Sequence, residues 1–111
     1  MDKFIINGGN SLNGTIEIGG AKNAVLPLMA AALLANGKST LSHVPDLSDT
    51  RTMIQLLNMI GAETDFHEKL LTIDASKVNS FEAPYDLVKT MRASFYVMGP
   101  LLARFGEARV S

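Results

Sequence analysis

Met53, Leu56, Leu57 and Ile60 stand at i, i+3, i+4 and i+7, the spacing that lines one face of a helix. Ser48 or Asp49 can cap that helix, and Gly61 supplies its stop. The run Ala24 to Ala35 has a different pattern, apolar nearly all round, which predicts a buried rather than an amphipathic helix. Pro27 falls about one turn in, where a missing N–H costs least, and Asn36-Gly37 closes the run. Elsewhere the pattern alternates. Phe4-Ile5-Ile6 and Gly14 to Ile18 read as two strands of a hairpin across the turn-rich Asn7 to Asn13. Lys38 to Val44 reads as a strand ending at Pro45. Glu63 to Phe66 and Leu70 to Asp74 read as two more, joined by the polar turn His67-Glu68-Lys69. The resulting β-α-β-α-β-β order predicts an α/β layer rather than a bundle or a sandwich.

A second unit follows. Val78 to Ala83 is irregular, and Pro84 turns its predecessor away from helix. Tyr85 to Phe105 is predicted to be mostly helical, with Gly99-Pro100 a kink or break inside it and Gly106 its end. Glu107 to Ser111 resembles the start of a strand. Leu33-Leu34-Ala35 recurs as Leu101-Leu102-Ala103, each before a glycine and a strand, which suggests a repeated helix-then-strand unit. A strand stopping at Ser111 would leave an unpaired edge, so the expectation is a piece of a longer protein.

Composition narrows the function classes. The chain has 111 residues, 47% of them hydrophobic, and a net charge of −1, which fits one small globular unit and disfavours a nucleic-acid or membrane-surface partner. No cysteine is present, which removes disulfides, thiolate metal sites and a cysteine nucleophile from these residues and is compatible with a cytoplasmic location. The first nine residues break into turn formers too early for a signal peptide, and Ala24 to Ala35 is too short to span a bilayer. His43 and His67 are isolated, so no metal is expected. Glu17, Asp46 and Asp49 read as turn or surface positions, and no spacing marks a catalytic dyad. Met53, Met59, Met91 and Met98 read as core filler. Lys89, Arg104 and Arg109 read as a solvated face, with a basic rim as the alternative.

One stretch carries chemistry. Gly19-Gly20-Ala21-Lys22-Asn23 joins the alternating Thr15 to Ile18 to the apolar run. Two glycines allow a close backbone approach, and a lysine beside the free N–H groups of a helix start suits a phosphate or a carboxylate. An ordinary turn, with Asn23 as the N-cap and Lys22 in solvent, fits the same residues.

Gly19-Gly20-Ala21-Lys22-Asn23-Ala24, Leu33-Leu34-Ala35 and the block Ala83-Pro84-Tyr85-Asp86-Leu87-Val88-Lys89-Thr90-Met91-Arg92-Ala93-Ser94 together resemble the enolpyruvyl transferases, in particular those acting on UDP-N-acetylglucosamine. The resemblance runs from Met1 to Ser111. It implies transfer of the enolpyruvyl group of phosphoenolpyruvate to the 3-hydroxyl of the UDP-sugar with release of phosphate, the first committed step of bacterial peptidoglycan synthesis. No cofactor is implied. By the same resemblance, Lys22 and Asn23 would meet phosphoenolpyruvate, and Arg92 would meet UDP-N-acetylglucosamine. No catalytic residue falls within the chain, since the proton-donating cysteine would lie beyond Ser111, and the chain alone is expected to be inactive.

The implied fold is an inside-out α/β barrel of two domains built from β-α-β-α-β-β units, here truncated. Residues 1–21 would belong with the second domain and residues 22–111 would form an incomplete first one. Two alternatives are a non-catalytic nucleotide-sugar or anion-binding module and an enzyme like 5-enolpyruvylshikimate-3-phosphate synthase. Asn23 after Lys22 and the Ala83 to Ser94 block favour the UDP-sugar enzyme.

Overall fold

The computed structural model describes all 111 residues. Its centre is a three-stranded sheet of β1 (Lys38–Leu41), β2 (Glu63–His67) and β3 (Leu70–Asp74), in the order β1-β3-β2. Both outer strands run antiparallel to β3, so β1 and β2 are parallel to each other with β3 inserted between them. The helix α2 (Ser48–Met59) makes the crossover between β1 and β2, giving a split β-α-β unit. The register places Leu41, Leu71 and Phe66 side by side, and Ser39, Ile73 and Thr64 in the next row. These rows face the core, where Leu71 and Ile73 are fully buried; Lys38, Asp74 and Glu63 form a polar row on the other face.

The helix α1 (Lys22–Ala31) continues as a 3₁₀ turn over Ala32–Leu34. It buries Val25, Leu26, Met29, Ala30, Ala32 and Leu33 against α2, whose Met53, Leu56 and Leu57, with Ile60 at its C-cap, are completely enclosed. The stripe on α2 is therefore the predicted one. Helix α1 is less enclosed than its composition implies, because Leu28 and Leu34 are exposed on its outer side. Gly61 ends α2 with φ 106°, as its position suggests. The β2–β3 turn is two residues, Glu68 and Lys69, both left-handed at φ 47° and 65°.

Several expected elements differ. No strand forms at Phe4–Ile6 or Gly14–Ile18, and the hairpin is absent. The apolar side chains of Phe4, Ile6, Ile16 and Ile18 all lie exposed, and a lone two-stranded ribbon without a surface to cover is marginal in water. Strand β1 stops at Leu41 instead of Val44, since His43 turns left-handed at φ 58°. The long helix over Tyr85 to Phe105 is divided into α3 (Tyr85–Val88), a 3₁₀ segment Arg92–Val97 and α4 (Met98–Phe105). Its break falls at extended Met91 (φ −148°, ψ 113°), not at Gly99-Pro100, which occupies the first turn of α4. Proline fits there because first-turn N–H groups need no intrahelical partner. Gly106 ends α4 at φ 77°, as expected.

Beyond α4, β5 (Arg109–Val110) pairs in parallel with β4 (Glu82–Ala83). Arg104, expected in solvent, instead joins the two units: its guanidinium donates to the carbonyls of Leu33 at 2.9 Å and Ala75 at 2.8 Å and to Asn36 Oδ1 at 3.0 Å.

Candidate functional site

The first turn of α1 forms one side of a cleft. Ala21 is the N-cap, extended at φ −88° and ψ 128°, and no side chain caps the helix. Asn23 is thus inside the first turn rather than at its cap, which corrects the alternative of an ordinary turn capped by Asn23. Gly20 sets this start. A Cβ on Gly20 would lie 1.7 Å from the carbonyl oxygen of His43 and 3.2 Å from Pro45 Cδ, so only glycine lets the chain pass here. The approach anchors the entry to α1 against the segment between β1 and α2. The first-turn N–H groups of Lys22 and Asn23 have no intrahelical acceptor, which makes this end attractive to an anion.

Segment 90–96 forms the facing side. The cleft measures about 450 Å³ and is lined by Lys22, Asn23, Leu26 and Asp49 from the two helices, and by Thr90 to Ala93, Phe95 and Tyr96. The three residues singled out in the sequence, Lys22, Asn23 and Arg92, therefore share one concavity across 70 residues of chain. Arg92 is exposed, while its neighbour Met91 is buried and fixes the backbone that carries it. The polar groups converge on a floor that includes buried Leu26 and Met91. That is the arrangement of a small-molecule site.

Sequence reasoning missed Asp49. It stands in the first turn of α2, where its carboxylate caps nothing, because the N-cap is Leu47 and no side-chain cap bond forms. Instead its Oδ2 lies 3.1 Å from Lys22 Nζ, with the two side chains 34% and 48% exposed. Lys22 is therefore paired rather than free in solvent. The only signal in the sequence was a carboxylate in the first turn of a helix, which by itself reads as favourable dipole chemistry. Close by, Arg51 grips Asp46 through two 2.7 Å bonds, and these bonds hold the Asp46 carboxyl below its ordinary range. The pair staples the approach to α2. His43 and His67 remain far apart in role: each lies near one exposed carboxylate, Glu17 and Glu68, at 3.9 Å and 3.7 Å.

A family model described as EPSP synthase (3-phosphoshikimate 1-carboxyvinyltransferase) matches residues 6–111. The chain belongs to this enolpyruvyl transferase family. Among curated members, the chain is 56% identical over its whole length to the UDP-N-acetylglucosamine 1-carboxyvinyltransferase of Trichlorobacter lovleyi. It is 54% identical to the protein of that name from Pelodictyon phaeoclathratiforme. In both cases the chain spans about a quarter (26%) of the relative's length. The crystal structure of the enolpyruvyl transferase NikO from Streptomyces tendae superposes with a TM-score of 0.77 at 30% identity, covering 91% of this chain and 24% of that one. The α/β architecture of this transferase family is thus the fold of the chain. No helix is long and apolar enough to cross a membrane.

Proposed function

We propose that this chain supplies the first quarter of a transferase that moves the enolpyruvyl group of phosphoenolpyruvate onto the 3-hydroxyl of UDP-N-acetylglucosamine. The observation that carries this reading is the convergence of Lys22, Asn23 and Arg92 on one cleft in a chain whose relatives bear that enzyme's name. Lys22 and the uncapped start of α1 take the phosphate and carboxylate of phosphoenolpyruvate. The compact ammonium can follow the phosphate as its bonding changes. Asn23, one residue on, sits beside the same ligand near the attacking hydroxyl. Arg92, on the facing side, offers a planar fork to oxygens of the UDP-sugar.

The reaction is an addition followed by an elimination. The sugar hydroxyl gives its proton to a base outside this chain as its oxygen bonds to the central carbon of phosphoenolpyruvate, while the methylene carbon gains a proton and becomes a methyl. A proton is then lost from that methyl as the C–O bond to phosphate breaks, leaving the enolpyruvyl ether and free phosphate. Charge develops on groups that a preorganised cation stabilises, so deletion of a contact that acts on the transition state costs on the order of 10² or more in rate. The chain contains no cysteine, and the proton donor comes from outside it. Residues 1–21 belong with the other domain, and the cleft is one half of an interdomain site in a cytoplasmic enzyme. The 111 residues alone therefore turn nothing over.

Isothermal titration of the chain tests the assignments. Lys22→Ala is expected to weaken phosphoenolpyruvate, and Arg92→Ala to weaken UDP-N-acetylglucosamine. Unchanged binding in both variants refutes the site. A phosphate-release assay with both substrates tests the rest: substrate-dependent release from this chain alone overturns its assignment as half a site.

A further inference from the structure

Asp49 is the one anionic side chain in a cleft otherwise suited to anions. It does not cap α2, and its carboxylate is held 3.1 Å from the ammonium of Lys22. We propose that Asp49 is the resident counter-anion of Lys22 and sets the affinity threshold that an incoming anion must exceed. The inference rests on the reading of Lys22 as the anion anchor. A ligand then gains Lys22 by exchange with a carboxylate rather than by simple addition.

Two features make the exchange workable. Both partners are partly exposed, which puts the pair in the weak range of surface ion pairs, easily broken. Asp49 also lies in the first turn of the twelve-residue α2, where the helix end favours a negative charge even after Lys22 has turned away. Its release strands no charge. The exchange lowers the apparent affinity of every anion by the same factor, because the resident carboxylate is tethered and therefore present at a high effective concentration. A free monocarboxylate offers Lys22 nothing that Asp49 does not. A phosphate dianion brings more charge and gains from the uncapped N–H groups of α1 as well. Asp49 thus sets a threshold that a monocarboxylate fails to clear and a phosphate, with its additional contacts, does.

The test is a ¹⁵N NMR titration of the 111-residue chain with inorganic phosphate and, separately, acetate, following the amides of Lys22 and Asn23. Asp49→Asn is expected to tighten both acetate and phosphate by roughly two- to fivefold, the range a surface ion pair allows. Asp49→Glu, which keeps the charge, is expected to retain the wild-type affinities. A merely structural Asp49 predicts the opposite sign, with both anions weakened. Unchanged or weakened binding of both anions in Asp49→Asn, with phosphate binding still lost in Lys22→Ala, overturns this inference alone. Phosphate binding that Lys22→Ala leaves intact overturns the anchor reading itself.

Discussion

Replacing Arg104 by alanine removes the clamp between the two units. The guanidinium satisfies the carbonyl of buried Leu33, which has no other partner. It also satisfies Ala75, whose carbonyl keeps only a long 3.4 Å bond from the Val78 amide. A buried acceptor left without a partner costs about 1–3 kcal/mol. The Asn36 bond is exposed and adds little. Loss of packing between the guanidinium and the Phe105 ring, 4.7 Å apart, contributes a further fraction. The expected destabilisation is about 2–4 kcal/mol, one of the larger single-site effects outside the apolar core. Arg104→Lys should recover only part of this, because an ammonium can donate to the two carbonyls that share one guanidinium nitrogen but loses the second nitrogen's bond to Asn36 and the contact with the Phe105 ring. Urea unfolding at a constant m-value is the assay. In a thermal scan the alanine variant should melt roughly 8–16 °C lower, at about 4 °C per kcal/mol for a chain of this size. A change within about 0.5 kcal/mol, the usual range for a solvated surface residue, would show that the three bonds contribute nothing and refute the reasoning.

Three other variants, one of them a double substitution, test separate parts of the fold. Gly61→Ala should destabilise by at least ~2 kcal/mol in urea, since the position has φ 106° and the added Cβ would lie 2.7 Å from Asn79 Oδ1 and 2.8 Å from the Lys77 carbonyl oxygen. Changing the β2–β3 turn to Asn-Gly (Glu68→Asn with Lys69→Gly) should raise stability by about 1 kcal/mol, because both residues are left-handed and neither native side chain favours that conformation. Asp46 and Asp74 should titrate below their ordinary value of 3.8 by ¹³C NMR, held down by Arg51 in the first case and by the Ser76 hydroxyl and amide in the second. Their stabilisation is complete above pH 3.8 and is lost as pH falls from there through the lowered folded values. Asp46→Asn should therefore flatten the stability-against-pH curve in that acid window, and an unaltered curve would rule the pair out as a contributor.

The legible parts of the fold were those fixed by local periodicity. The stripe of α2 needs only its own spacing to be read, and the left-handed stops at Gly61 and Gly106 need only a residue without a Cβ. The strands β2 and β3 were read almost to their ends because a short polar turn joins them directly. Where the outcome depends on a distant partner, the pattern misleads. Phe4, Ile6, Ile16 and Ile18 alternate as a strand should, yet nothing in this chain pairs with them. The broken helix from Tyr85 to Phe105 contains no strong breaker at Met91, and burial of that side chain accompanies the extended backbone there. The site divides in the same way. Lys22, Asn23 and Arg92 were identified from their motifs, and the structure brings them to one cleft. Asp49 and Arg104 were misread as surface because each finds its partners on another element, 27 or more residues away, which no spacing encodes.

The insertion of β3 between β1 and β2 has a kinetic consequence. The β2–β3 pair can close through its two-residue turn on the microsecond scale of an isolated hairpin, before any distant contact exists. Strand β1 can reach β3 only after the chain has closed a loop that contains all of α2. The hairpin is thus the template and β1 the late arrival, docking as α2 packs down. Substitutions at Glu68 and Lys69 should accordingly move the folding arm of a chevron plot, whereas substitutions at Ser39 or Leu41 should act mainly on the unfolding arm. Because Gly20 packs against the turn that follows β1, the entry to α1, and with it the cleft, is among the last parts of the molecule to be set.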